Sequence, residues 1–248
     1  MKLGLVLAGG GVAGIAWETG FLLGLQDKSP DTAAALLTAD VLIGTSAGST
    51  VSAQIASGVT LQELFDAQTA EATGEIDPKV DVEVLGQMFV DAIAGSQDRA
   101  EQLRLLGEAA MRADTVEPAV RRAVIEARLL NRLWPDRELR IPAINAQTGE
   151  LRVFGNADGV ELIDAVGASC AVPGVWPVVV IEGERYMDGG MASGSNVHLA
   201  ADCDVVVVLS PAADPAPNLL GGSLREEIDV MTPLPVLPIF ADDAVVEA

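Results

Sequence analysis

The sequence predicts a layered α/β domain built on a mainly parallel sheet, and three observations carry that prediction. Short apolar runs alternate with longer stretches of helical periodicity, the pattern of strands joined by crossover helices. The run CDVVVVLS (203–210) is β-branched and almost continuously apolar, as expected of a strand covered on both faces. Two small-residue turns, LAGGGVAG (7–14) and IGTSAGS (43–49), each join such a run to a helical pattern.

Taken in order, the apolar runs predict strands at 2–8, 40–44, 139–145, 151–154, 177–182 and 204–209, with a short strand at ERYM (184–187). Helical periodicity predicts helices at 12–26, 47–57, 61–72, 98–111, 117–130 and 161–168. Residues 74–114 carry weak strand signals and scattered charge, and read as a helical layer or as an insertion that forms a lid. After SLREEID, three prolines (Pro233, Pro235, Pro238) oppose both helix and central strand, so 231–248 reads as an extended edge segment or a loose tail. The whole chain, 1–248, suits a single domain large enough to bury a substantial core.

Half the residues are apolar but only 4% are aromatic, so Ala, Val and Leu must build that core. A formal net charge of −21 argues against nucleic acid as a partner and against electrostatic docking on anionic lipid. Transient contact with a membrane or micelle would have to use apolar patches. Cys170, Cys203 and the single histidine, His198, give neither a disulfide framework nor metal-ligand spacing. The apolar run after Lys2 is broken at once by glycine and reads as a strand. The charge-free run 41–62 is rich in Gly, Ser and Thr and reads as a buried strand and helix, so a cytoplasmic setting is expected.

Chemistry concentrates in three places. In LAGGGVAG the bare backbone at Gly9, Gly10 and Gly11, ahead of a helix that starts near Gly14, places N–H groups beside a positive helix end. Such a loop can hold a dinucleotide phosphate or the oxyanion of an acyl transfer. The second place, Gly44-Thr45-Ser46-Ala47-Gly48, is G-x-S-x-G between a strand and a helix, the setting of a nucleophile elbow. The alternative role for Ser46 is to cap the following helix. Third, Asp188 ends the strand ERYM ahead of Gly189 and Gly190, where a carboxylate without neighbouring side chains can approach a serine hydroxyl. Asp-Gly-Gly is also an ordinary turn sequence.

These motifs resemble the patatin-like phospholipases, a family of serine lipid acyl hydrolases. GGGVAG (9–14), GTSAG (44–48), ASCAVPGVWPVV (168–179) and DGG (188–190) stand in the family's order and span most of the chain. The resemblance implies a three-layer α/β/α sandwich, Ser46 as nucleophile and Asp188 as the base that activates it. It also implies an oxyanion hole from the amides of Gly9 to Gly11, chiefly Gly10 and Gly11. A lipid or other acyl ester is the implied substrate, and neither metal nor organic cofactor is implied. Ala13 departs from the pattern, because many members carry Arg or Lys there.

Other readings share parts of this evidence. A Ser-Asp-His triad would need His198, which sits where a helix leads into CDVVVVLS. A dinucleotide-binding oxidoreductase needs an acidic residue at the end of the second strand, and here that strand ends in the serine turn. An acyltransferase would use every motif of the hydrolase. A non-catalytic lipid-binding module would keep the fold and draw its support from Ala13.

Overall fold

The computed structural model describes residues 1–70, 74–214, 220 and 222–242. In chain order the elements are β1 (Leu3–Leu7), α1 (Gly11–Lys28), α2 (Pro30–Leu37), β2 (Val41–Gly44), α3 (Ala47–Ala56), α4 (Leu61–Thr69), α5 (Val82–Ala94), α6 (Arg99–Arg112), α7 (Pro118–Arg128), β3 (Glu138–Asn145), β4 (Leu151–Phe154), α8 (Leu162–Ser169), β5 (Val179–Ile181), β6 (Glu184–Asp188), β7 (Val205–Ser210), α9 (Leu224–Val230) and β8 (Val236–Phe240). The strands form one mixed sheet in the order β5-β6-β3-β2-β1-β7-β8, with β4 also paired to β3. Pairings from β3 through β2, β1 and β7 to β8 are parallel, while β3–β4, β3–β6 and β5–β6 are antiparallel.

Helices cover both faces of this sheet, and the period of two within the strands divides the core accordingly. Leu5, Leu7, Leu42, Val207 and Leu209 point into a large cluster with Ile15, Leu22, Val51 and Leu64 from α1, α3 and α4. Their neighbours Val6, Val41, Ile43, Val206 and Val208 point the other way, against Val197, Ala200 and the flank of α9. A third cluster joins Leu103 and Leu106 of α6 to Ile144 and Met187. The α/β/α layering expected from the motifs is the observed architecture.

Where the structure departs from the sequence reading, the causes are local. Two helices, α2 and α5, lie in stretches where no separate helix was expected. Pro30 starts α2 at its first turn, and Asp81 caps α5 by accepting from the Glu83 and Val84 amides. Residues 74–114 thus hold two helices, α5 and α6. The proline-rich end forms β8, an edge strand parallel to β7, where Pro238 needs no ladder donor on its open side. Helix α4 ends at Thr69, and the part of the expected helix at 71–72 lies outside the described residues, as does the tail at 243–248.

The start of α3 packs directly on the backbone of β1. A side-chain carbon built on Gly48 would overlap the Leu7 carbonyl, and the Gly48 N–H already donates to Ala8 O at 3.1 Å. Gly48→Ala must therefore push α3 off the sheet. The expected loss is about 3 kcal/mol of unfolding free energy, measured as a lowered denaturation midpoint with an unchanged denaturant slope.

Candidate active site

Strand β3 sets the geometry of the site. Its first residues, Glu138–Arg140, pair in parallel with β2, while Ala143–Asn145 pair antiparallel with β6. The C-terminal ends of β2 and β6 therefore converge on the middle of one strand. Ser46 follows the first end and Asp188 closes the second.

Ser46 has φ 52° and ψ −116°, a left-handed backbone conformation that costs a non-glycine residue about 1–3 kcal/mol. Its side chain makes no cap to α3, so the helix-cap role is not the one observed. The turn is held instead through its backbone. Ser169 Oγ accepts the Ser46 N–H at 3.0 Å, and Cys170 Sγ donates to the Ser46 carbonyl at 3.2 Å. Ahead of it, the Thr45 N–H donates to Leu7 O at 3.0 Å. The hydroxyl is left for other work.

Asp188 is 1% exposed. The Gly190 N–H donates to its Oδ1 at 2.7 Å, while Oδ2 lacks a partner at hydrogen-bonding geometry. Burial pushes the carboxyl up to about 7, opposed by the Ser46 hydroxyl, the Gly190 amide and the more distant charge of Arg121. Ser46 and Asp188 line the same cavity, and the Ser46 hydroxyl favours the charged form of this carboxylate.

The glycine loop completes one wall. Gly9, Gly10 and Gly11 line a cavity of about 300 Å³ together with Ser46, Asp188, Gly190 and Met191. Gly9 requires a correction as a free donor: its N–H is donated to Gly194 O at 2.8 Å. Gly10 and Gly11 stand at the uncapped start of α1, where N–H groups have no partners within the helix. Gly14 packs against Ala47 and Pro211, and Gly44 closes β2 under Ser52. Gly189 lies where any side chain would overlap the Pro142 carbonyl, which seats the Asp188 turn directly on β3.

Several supporting residues escaped the sequence reading. Asn196, fully buried and left-handed at φ 51°, donates through Nδ2 to Thr45 Oγ1 at 3.0 Å and to Ser193 O at 2.8 Å. The same group approaches Gly189 O at 3.4 Å, so one amide spans the turns that carry Ser46 and Asp188. Ser193 and Ser195 donate to Glu227 at 2.8 and 2.9 Å, anchoring this loop to α9. Asn in a left-handed turn just after Asp-Gly-Gly was the available signal. Glu18 on α1 is also fully buried, beside the Ala8 amide, with no partner for either oxygen at hydrogen-bonding geometry; burial pushes its carboxyl well above the usual carboxylate range. His198 is exposed on a short turn and lines neither cavity at Ser46. Among the described residues, no three His, Cys, Asp or Glu side chains gather as a metal site requires. No described helix is long and apolar enough to cross a membrane.

With this geometry in hand, similarities to known proteins can be placed. The family model for patatin-like phospholipases matches residues 5–201. No curated protein matches the chain. VipD from Legionella pneumophila is similar in structure over 86% of this chain and 50% of its own, at 14% identity and a TM-score of 0.47. A chain from the complex of SpcU with ExoU of Pseudomonas aeruginosa is similar over 100% of this chain and 49% of its own, at 17% identity and a TM-score of 0.42. This chain spans about half the length of those solved chains.

The raised carboxyls make stability depend on pH. Asp188 keeps its proton up to about 7 when folded, whereas the unfolded chain releases it near 3.8. The folded state binds more protons, so stability declines as pH rises between those values, by about 4 kcal/mol when complete. Glu18 acts in the same direction. Asp188→Asn is therefore expected to melt at higher temperature than the native protein at pH 8. The difference should shrink toward zero near pH 4 in parallel thermal melts.

Proposed function

The chain belongs to the patatin-like phospholipase family, and from that premise we propose that it is a serine hydrolase of lipid acyl esters, with Ser46 as nucleophile and Asp188 as general base. One observation carries the reading. A serine on a strained turn and a dry carboxylate of raised basicity line one cavity together with Gly10 and Gly11.

The steps follow from that placement. Asp188 takes the Ser46 proton as Oγ attacks the ester carbonyl, and the electron pair of the C=O moves onto oxygen. The Gly10 and Gly11 N–H groups, at the positive end of α1, hold this oxyanion. Collapse breaks the ester C–O bond, and the leaving alcohol recovers the proton from Asp188. Asp188 then deprotonates water, which attacks the acyl-enzyme; the bond to Ser46 Oγ breaks, Oγ recovers the proton from Asp188, and the fatty acid leaves. A general base works best with a pKa near the working pH, and burial brings Asp188 there.

Lipid access is proposed to run over α5. This helix leaves Val82, Val84 and Val90 exposed, which gives an acidic protein an apolar surface for a lipid interface. Its inner face packs on the turn beside the site, where a carbon added to Gly174 would meet Met88 Cε at 2.9 Å and Leu85 Cδ1 at 3.0 Å. In this role α5 is the lid portion of 74–114.

The decisive test is labelling by a fluorophosphonate probe. Native protein should be labelled, Ser46→Ala not at all, and Asp188→Asn slower by about 10²-fold or more. An unlabelled native protein would remove the hydrolase reading. With a soluble ester, kcat/KM should fall tenfold per pH unit below about 7 as Asp188 gains its proton. A profile that stays flat down to pH 5 would assign the base elsewhere.

A further inference from the structure

A second, smaller cavity of about 70 Å³ adjoins Ser46 and differs in character from the first. Gly11, Ala47, Arg121, Arg128, Cys170 and Trp176 contribute to its lining. Gly11 and Ala47 open α1 and α3, so two helix N-termini face this space. Arg121 reaches it from α7, which is remote in sequence from the glycine loop.

The state of Arg121 is the informative observation. The residue is 6% exposed, its Nη1 has no hydrogen-bond partner, and it has no ion-pair partner among the described residues. Its guanidinium lies 3.8 Å from the centre of the Trp176 ring, which fixes its plane. Burial lowers its pKa only to about 10, so it stays charged at neutral pH. Arg128, on the same wall, shows the ordinary solution: Nε and Nη2 donate to the two carboxylate oxygens of Glu75 at 2.6 and 2.7 Å. A chain with 36 acidic residues has every opportunity to pair Arg121 internally. An unpaired buried charge is costly, and a protein keeps one where an outside group completes it.

We propose that this cavity is a phosphate subsite for the substrate, with Arg121 as the residue that selects phosphate-bearing lipids. The inference rests on the hydrolase reading and specifies its substrate: an acyl ester whose headgroup phosphate sits beside the scissile carbonyl. Arg121 offers the phosphate oxygens planar, directed donors that the two helix ends reinforce. It provides from α7 a positive charge that Ala13 cannot provide from the glycine loop. Arg121 also lines a groove of about 450 Å³ together with Ile125, Gly167 and Val179.

The test uses two readouts. In the first, kcat/KM is measured with micellar short-chain phosphatidylglycerol and with 4-nitrophenyl butyrate, which has no phosphate. Arg121→Gln should lower the phospholipid value by about 30-fold, the scale of one lost charge-assisted hydrogen bond. The butyrate value should fall far less, by the share that the distant Arg121 charge has on Asp188, and Arg121→Lys should restore part of the phospholipid activity. Equal losses on both substrates would overturn the proposal and make Arg121 a support for Asp188. In the second readout, inorganic phosphate is titrated into native protein while tryptophan fluorescence is followed, with Trp176→Phe as control. A saturable change that disappears in Trp176→Phe and Arg121→Gln is expected whether or not the protein turns over substrate, so this arm survives failure of the hydrolase reading. No change in the native protein would overturn the subsite. Phosphate binding without any effect of Arg121→Gln on substrate preference would overturn the lipid source and leave free phosphate as the ligand.

Discussion

The site depends on how β3 divides its pairing. Its early residues hold β2 in parallel and its later ones hold β6 antiparallel, so two strands running in opposite senses end facing each other. Serine and carboxylate come together because of that meeting, without either needing a long or flexible side chain. The same meeting explains the carboxylate's chemistry. A strand end sealed between the sheet and the turns above it is dry, and dryness raises a carboxyl's affinity for its proton. Topology, burial and basicity form one causal chain.

The electrostatics of the interior oppose those of the surface. An acidic chain holds buried ionisable groups that are weakly satisfied from within: Glu18 beside the Ala8 amide, Asp188 in the larger cavity at Ser46, and Arg121 in the smaller one. Each lowers stability in isolation. Their placement around one serine is the expected pattern for a site where stability is traded for reactivity.

Much of this was legible in the sequence because it is written locally. The run CDVVVVLS reads as a doubly covered strand from its composition, and G-x-S-x-G between strand and helix reads as an elbow from its spacing. Features that arise from distant contacts were not legible. The Gly9 amide looked like a free donor until the Gly194 carbonyl was found beside it. Arg121 belongs to PAVRRAVIEAR, where arginines on an amphipathic helix read as a solvated face; its burial is decided by Trp176. Three prolines disguised β8, since an edge strand tolerates what a central strand cannot. In α5 the capping aspartate was visible, but its apolar positions do not form the single buried stripe that announces a helix.

The loop 193–197 gives the site a collective character. Asn196 bridges the turns of Ser46 and Asp188, and the neighbouring Gly194 carbonyl holds the glycine loop. The turns of Ser46 and Asp188 and the glycine loop, each held to the scaffold by its own bonds, thus share one further fastening in this segment. Native proteins breathe in cooperative units that open well below the free energy of global unfolding. An opening of this segment would remove the one fastening that all three share. Under the proposed mechanism, its closure would couple the nucleophile, the base and the oxyanion donors to one another.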